Sequence, residues 1–549
     1  LLAFSIFAIL PFFSPGYFVI HDNTQVQRTF EMAKSLGDWV FPVRWVADLG
    51  YGYGYPIFNY YAPAFYYVSG SLTVLGATAL WSTKISAMLA ILLSAFSMYF
   101  LAREIWGKWG GILSAMLYTY APFHAADIYV RGAFGESLAF ALLPLPFLGL
   151  YKVYSENSKK VWYWIGFTSL SFALLILSHN LSSFMTAPFL LFFSVIVSYA
   201  YFKKNGRFSM HFFYSLVLGI LISAFYWVPA LVELKFADVY SITRNEFDLR
   251  EHFVCLRQLW YSPWGFGGSA PGCLDGISFG LGKLHILLAL IASVGLFFIR
   301  KNNMQFFGLL LSLSVFVLSI FLMTGYSKFI WELLPPMEFF QFPWRFLLLS
   351  VFSISFAGGF LLWFLERKIT QRLALIICLL LLGGLVFYYQ KLFYPQGITT
   401  DPSENYTNEY SLKWFTSKIS DEYMPKNFPT PVNEEDIVRS KVKIEGDGEI
   451  RYKLESSSKI EAIVRLYSDS KVYINIANFP AWNFYLDGKK IIPEQAFGIY
   501  SLNVSEGDHK IEAKFIQTPI EKLSNLLSLG GLAALLAGII FKHRKIYEK

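Results

Sequence analysis

Charge is scarce in this chain. Of its 549 residues only 15% are Asp, Glu, Lys or Arg, against about 25% in ordinary soluble domains. At 55% hydrophobic, such a chain cannot hide its apolar surface in one soluble core, so the bilayer must be its solvent. Cysteine is scarcer still, with three residues. Cys378 lies in an apolar run, and Cys255 and Cys273 share one polar loop. No Cys/His spacing reads as zinc. The glycine-rich stretch Ser262-Pro263-Trp264-Gly265-Phe266-Gly267-Gly268-Ser269 lacks the Gly-Lys-Ser/Thr ending of a phosphate loop, and reads as a rigid, turn-rich lid with Asp275 further along. The formal charge of +8 sits largely in short loops and does not call for nucleic acid.

What is abundant is long apolar sequence. About twelve runs stand out, near 1–13, 82–102, 111–127, 134–151, 161–178, 181–202, 212–232, 284–299, 305–323, 345–365, 371–390 and 522–541. The expectation is a polytopic α-helical membrane protein of about 12 transmembrane helices. The first run is shorter than the roughly 20 residues a span needs, and reads as the end of a helix that begins before Leu1 rather than as a signal-peptide remnant. The 55 Phe and 34 Tyr suit a helix bundle with interfacial aromatic belts. Alternate connections carry the basic residues: Arg103 with Lys108, Lys159-Lys160, Lys203-Lys204 with Arg207, Arg300-Lys301, Arg367-Lys368 with Arg372, and Lys542, Arg544 and Lys545 after the last run. Short-loop Lys and Arg mark the cytoplasm. Both termini are then cytoplasmic, in the plasma membrane. Segments 14–81, 128–133, 179–180, 233–283, 324–344 and 391–521 then face outward.

Three parts follow: 1–390 as the helical domain with its large first outer loop 14–81, 391–521 as an outer β-rich domain, and 522–549 as the last helix and basic tail. From about Ser440 apolar residues alternate, as in Lys441-Val442-Lys443-Ile444, Ile460-Glu461-Ala462-Ile463-Val464 and Lys471-Val472-Tyr473-Ile474-Asn475-Ile476, with turns at Gly446-Asp447-Gly448 and Asp487-Gly488. Period-2 patterning between regular turns predicts an antiparallel β-sandwich, a binding or stabilising module without a nucleophile set or metal cluster.

The candidate chemistry lies in the outward segments. Asp22 precedes Val26, Phe30, Ala33 and Leu36, which recur at helical spacing until Gly37. That pattern predicts an amphipathic helix along the interface, with Thr24 and Gln27 as a capping box. Asp22 is either a helix cap, gaining about 0.3–1 kcal/mol from the dipole, or a catalytic carboxylate. His21 beside it is an interfacial side chain, or tunes that carboxylate or binds phosphate. Arg131 and Glu136 flank the turn Asp127-Ile128-Tyr129-Val130-Arg131-Gly132-Ala133-Phe134-Gly135-Glu136. They either close the turn as an ion pair or serve a phosphate and substrate hydroxyls. His179-Asn180 either satisfy backbone groups between two runs or line a cavity. Arg345 follows Pro343-Trp344, with Gln341 one turn away. It either snorkels to the interface or clamps phosphate.

His21-Asp22, Pro42-Val43-Arg44-Trp45, Gly52-Tyr53-Gly54-Tyr55-Pro56 and Tyr60-Tyr61-Ala62-Pro63 occur in that order. Together they resemble a family of bacterial and archaeal integral membrane proteins described as 6-pyruvoyl-tetrahydropterin synthase related. Arg131-Gly132-Ala133 with Glu136, Ser178-His179-Asn180, Ser262-Pro263-Trp264-Gly265 with Asp275-Gly276, and Phe342-Pro343-Trp344-Arg345-Phe346 look like its later motifs. The resemblance covers roughly 1–390. The tail Phe479-Pro480-Ala481-Trp482-Asn483 with Leu486-Asp487-Gly488 looks like the outer β-domain of related glycosyltransferases, with Ala481 where they carry Gly. The pterin synthase itself is a soluble zinc enzyme with a His cluster, and this sequence has no such cluster.

The architecture resembles the GT-C glycosyltransferases, membrane enzymes with a catalytic acid in the first outer loop that take sugar from a polyprenyl-phosphate carrier. That resemblance implies Asp22 as general base, and Arg44, Arg131 or Arg345 against the leaving phosphate. It implies inversion at the anomeric carbon and a glycan, lipid or protein acceptor. No carboxylate-rich metal site is evident in the sequence, so no metal or other cofactor is required by it. A lipid or polysaccharide flippase would want polar residues at mid-helix, whereas here they gather in outer loops. A non-catalytic assembly protein of envelope glycan synthesis is the third reading. Cys255 and Cys273 share an outward loop, where a disulfide can form.

Overall fold

The computed structural model describes residues 1–155, 160–239, 248–301, 303–426, 428–496 and 498–547. Among them, eight helices are long and apolar enough to cross a membrane, or nine if the bent pair His211–Ile222 and Ala224–Val232 is one span. The twelve runs do not all form helices of that length. Residues 1–13 form only short helical turns, and the Lys283–Phe298 stretch is short for a span. The runs near 82–102 and 111–127 belong to one element, Ala79–Thr119, interrupted at Gly107 with φ +72°. A Cβ on Gly111 would lie 3.0 Å from the Arg103 backbone. The chain therefore doubles back there, and its second arm is short. Large apolar side chains face outward along the helices, among them Phe192, Val317 and Leu380 at 54%, 64% and 71% exposure. A water-facing surface would not carry so many such residues.

The basic connections meet at one end of the bundle. Lys152 pairs with Glu104 at 2.8 Å, and Lys204 lies over Tyr154. Gln305 reaches the Ile105 carbonyl at 3.5 Å. The Glu366 carboxylate sits 3.6 Å from the Cβ position of Gly107. Trp162 packs on Gly538 of the last helix. Lys159 lies outside the described residues, as do the side chains of Lys542, Arg544 and Lys545. Glu136 and Lys152 stand at opposite ends of Phe134–Ser155, which at 1.5 Å per residue separates them by about 24 Å.

The C-terminal region holds two antiparallel sheets. One orders Val442–Glu445, Ser470–Ile474, Ile499–Val504 and Glu494–Ala496. The other orders Gly448–Glu455, Lys459–Leu466, Gly507–Phe515, Trp482–Leu486 and Lys489–Ile491. Alternation places Ile460, Ala462, Val464 and Leu466 inside with Val472 and Ile474. This region is no free-standing domain, because its core is continuous with the first loop. Trp45 meets Phe479, Trp482 and Phe515 at ring distances of 5.9, 5.6 and 5.9 Å. Ile398–Thr399 pairs with Tyr17–Phe18 as a strand. Lys441 donates to the Ala47 and Gly52 carbonyls at 2.9 and 2.6 Å. Gly54 makes the fit possible: its φ is +88°, and a Cβ there would lie 2.4 Å from the Trp45 ring.

The Gln25–Gly37 helix forms as patterned but does not lie on a membrane surface. Its polar face is buried along with its apolar one. Gln27 donates to Ser411 Oγ at 2.9 Å instead of completing a capping box. Arg28 donates to Ser420 Oγ at 2.9 Å. The C-terminal region supplies these partners, so the polar face meets protein in place of water.

Candidate active site

At the end of the bundle away from the basic turns, a π-helical turn Asp127–Arg131 closes on Gly132 with φ +69°. A Cβ on Gly132 would lie 2.3 Å from the Ile20 side chain, so glycine lets the two stretches touch. The His21 N–H then donates to the Val130 carbonyl at 3.0 Å, and the Asp22 N–H to that of Arg131 at 2.8 Å. Gln25 Nε2 donates to the Gly132 carbonyl at 2.8 Å. Asp22 is thereby pinned to the Arg131 turn by its backbone, leaving its side chain uncommitted.

Arg131 donates through Nη1 to Asp127 and, at 2.7 Å, to Glu136 Oε2. Its guanidinium lies 4.8 Å from the Trp344 ring. Burial alone would ease its proton off, but the Glu136 and Asp127 carboxylates outweigh that and hold it more firmly than usual. Burial first and then Glu136 push the Asp127 carboxyl well above the carboxylate range.

A Cβ on Gly135 would lie 2.9 Å from the Ser178 carbonyl. This close approach brings the start of Phe134–Leu142 against His179. His179 caps Asn180–Asn205, its Nδ1 accepting from the Ser182 N–H at 3.3 Å. The ring proton is then on Nε2. Burial lowers this imidazole to about 4, so it is neutral near pH 7, within electrostatic reach of Glu136, Arg345 and Arg131. Arg345 donates to Gln341 Oε1 at 3.3 Å and lies 5.4 Å from the Phe342 ring. Among the described residues it has no carboxylate partner at ion-pair distance, and its Nε is buried without a hydrogen-bond acceptor.

Asp22 is half-buried. Its carboxylate makes no hydrogen bond or ion pair with another described residue. It does not cap the following helix, whose N-cap is Thr24. It lies within electrostatic reach of Arg131, Arg345 and Asp127 on one hand and of Tyr17, Tyr61 and Tyr66 on the other. Asn23 Oδ1, Asp127 Oδ2, Glu136 Oε1 and Trp344 Nε1 are also buried without partners nearby. Most buried polar atoms are satisfied, and these four are among those left with hydrogen-bonding capacity in reserve.

The structure thus gathers Asp22, Arg131, Glu136, His179 and Arg345, with Gln341 supporting Arg345. Three residues expected at the site are engaged elsewhere. Arg44 is buried among Asn59, the Phe225 carbonyl, Asn525 and Glu521, at 3.3, 2.8, 3.1 and 3.5 Å. It ties the first loop to the last helix, with the buried Glu521 as its counter-ion. His21 is exposed, and its Nε2 meets the Phe266 carbonyl at 2.9 Å, so it anchors the glycine-rich loop. Asn180 donates to the Tyr60 carbonyl at 3.0 Å and accepts from Tyr226, fixing the turn before Tyr61.

That loop is itself built on Asp275, which accepts from Gln258, Ser269 and the Ala270 N–H at 2.8, 2.9 and 2.9 Å. A disulfide joins Cys255 to Cys273, with Cα atoms 5.9 Å apart. The His252 ring lies 4.7 Å from that of Phe342, which also carries Arg345. The sequence reading assigned no part to Asp127, although an Asp–Arg pair at i and i+4 is a visible signal. Among the described residues no three His, Cys, Asp or Glu side chains are grouped to hold a metal ion.

Residues 58–392 match the family described as 6-pyruvoyl-tetrahydropterin synthase related domain, membrane protein. The chain belongs to this family of membrane proteins. No curated protein matches it. Among solved structures it is similar to arabinofuranosyltransferase AftD from Mycobacteria, at 13% identity and a TM-score of 0.45, covering 73% of this chain and 27% of that one. It is also similar to the Archaeoglobus fulgidus oligosaccharyltransferase, at 13% identity and a TM-score of 0.43, covering 78% and 61%. ArnT from Cupriavidus metallidurans bound to undecaprenyl phosphate gives 12% identity and a TM-score of 0.26, covering 65% and 77%. The chain spans less than two thirds of the length of the first two.

Proposed function

We propose that this protein is a membrane glycosyltransferase that moves a sugar from a polyprenyl-phosphate carrier to an acceptor outside the cell. The observation that carries the reading is a half-buried carboxylate without a protein partner, Asp22, held beside a guanidinium without a carboxylate partner, Arg345. A fold has little use for leaving both unpaired, whereas a general base next to an anion site requires it. Asp22 takes the acceptor's hydroxyl proton as that oxygen attacks the anomeric carbon. The bond from that carbon to the phosphate oxygen breaks, and its electron pair leaves on the polyprenyl phosphate. Arg345 stabilises that anion, with the neutral His179 Nε2–H as a further donor. A single displacement inverts the anomeric carbon. Along the Arg345 helix, Leu349, Phe352 and Phe356 border an apolar crevice shared with Phe147, Phe193 and Val315, which suits an isoprenoid chain. Placing the basic end in the cytoplasm sets the site on the outer face.

Purified protein with a panel of radiolabelled polyprenyl-phosphate sugars tests this. Wild type should release or transfer label, and Asp22→Asn should slow turnover by about two to four orders of magnitude with donor binding and thermal unfolding unchanged. Because Asp22 caps no helix, the variant removes the base alone. Near-normal turnover in Asp22→Asn would refute the assignment.

A further inference from the structure

Asp22 has a second set of neighbours that the donor chemistry leaves unused. The segment Ser420-Asp421-Glu422-Tyr423-Met424 joins the helical part to the sheets, and lies outside the stretch that matches the family. It is pinned to the first loop at several points. The Tyr423 N–H donates to Tyr55 Oη at 3.1 Å, and Tyr51 Oη donates to Asp421 Oδ2 at 3.1 Å. The Asp238 N–H donates to the buried Met424 carbonyl at 3.0 Å. These bonds hold Glu422 and Tyr423 half-buried, with Tyr423 turned toward Arg345.

The Tyr423 ring stacks on Tyr60 at 5.3 Å and is within electrostatic reach of Arg28 and Arg345. Tyr61, also half-buried, is within reach of both Asp22 and Tyr423. The Arg28 guanidinium lies 4.5 Å from the Tyr61 ring. It donates to Ser420 Oγ at 2.9 Å and to Tyr66 Oη at 3.5 Å, while its buried Nε has no partner. Glu422 is the carboxylate facing it. Tyr61 is therefore the link to Asp22, and around it stand a second half-buried ring, Tyr423, a buried cation with a spare N–H, Arg28, and the carboxylate that faces that cation, Glu422.

This combination suits one ligand chemistry. A sugar ring offers an apolar C–H face for flat aromatic side chains and an edge of hydroxyls. A carboxylate accepts from such hydroxyls, and a guanidinium donates to their oxygens. We propose that Tyr61, Tyr423 and Glu422 form the acceptor subsite, and that the acceptor is a carbohydrate that presents a ring hydroxyl to Asp22. The proposal rests on the transferase reading. The proton of that hydroxyl passes to Asp22 and its oxygen makes the new glycosidic bond, while the donor's anomeric carbon releases polyprenyl phosphate. Glu422 is a binding residue, and its removal leaves donor, base and leaving-group site in place.

The test uses the full chain in lipid nanodiscs. Saturation-transfer NMR is run with methyl α-D-mannopyranoside, methyl β-D-galactopyranoside and methyl α-D-arabinofuranoside, and decaprenyl phosphate binding is measured in parallel. At least one glycoside should bind wild type, and Asp22→Asn should still bind it. Glu422→Gln and Tyr423→Ala should each weaken it by about tenfold or more, the range expected for losing a charged hydrogen-bond partner, with decaprenyl phosphate binding unchanged. Glu422→Gln keeps side-chain volume, so it separates binding from folding should Tyr423→Ala unfold. Glycoside binding that ignores both variants, or no glycoside binding at all, overturns the subsite while lipid binding stands. Loss of decaprenyl phosphate binding in wild type overturns the transferase reading beneath it.

Discussion

An arginine becomes a ligand site or a structural clamp according to the acceptors already around it, and this chain holds both kinds. Arg44 and Arg345 look alike in sequence, each beside a Trp and two residues from a Pro. Arg44 is spent on Glu521, Asn59, Asn525 and a carbonyl. Arg345 meets only an amide oxygen and a ring. Their alanine variants should therefore fail in different ways. Arg345→Ala should weaken decaprenyl phosphate binding by ~10- to 100-fold, the worth of a charge-assisted contact, with unfolding temperature little changed. Arg44→Ala leaves Glu521 buried without its cation, which costs about 3–5 kcal/mol, so it should lower stability and spare binding in whatever fraction stays folded. Binding isotherms and thermal unfolding on the two variants check both statements. Equal loss of lipid binding in both would refute the distinction. Asp22 and Glu136 were legible as candidates because carboxylates at the ends of apolar runs are costly. That Glu136 is locked to Arg131 and Asp22 is not could be read only from their contacts.

The Gln25–Gly37 helix shows how far an element can be read. Its period and its end at Gly37 were visible, but its surroundings were not. An amphipathic pattern says that two faces differ, and here the second face meets protein in place of water. Glu31 on that face is buried, accepting from the Asp48 N–H at 3.1 Å, while Lys34 pairs with Asp48 at 2.5 Å. Burial first and the Asp48 carboxylate second raise the Glu31 carboxyl to about 8, with Lys34 opposing. Unfolded, it titrates near 4.5. Between those values the native state binds the proton and the unfolded state does not, so stability falls as pH rises through that window. Below the unfolded value both states are protonated and the penalty is gone. Glu31→Gln keeps the acceptor and removes the titration. It should raise stability at pH 8 by on the order of 1 kcal/mol or more, with the gain vanishing by about pH 4. Thermal unfolding of wild type and variant across that range checks it, and a gain independent of pH would refute the cause.

For the molecule as a whole, one-sided contacts among Lys152, Lys204, Gln305 and Glu366 predict opposite faces for the basic turns and the sheets. Single cysteines placed in 152–160 and in 440–500 should react with a membrane-impermeant maleimide from opposite sides. Labelling from one side would reject the topology. The Trp45 contacts with Phe479, Trp482 and Phe515 further imply that removing 391–518 would strip cover from the first loop, so a truncated chain should aggregate in size-exclusion chromatography where the full chain does not. Membrane solvation, the basic face and the alternating strands after Ser440 were legible in local composition and period, because each depends on residues near one another in the chain, and Asp22 was marked there only as a candidate. The exact number of spans was not legible, because two apolar runs join in one element that doubles back at Gly107. The joining of the first loop to the sheets, the retirement of Arg44 to a buried clamp and the arrival of Glu422 and Tyr423 beside Arg28, Tyr60 and Tyr61 bring together residues hundreds of positions apart. Such pairings are chosen by complementary shape and by which buried polar groups find partners, and neither leaves a periodic trace along the chain.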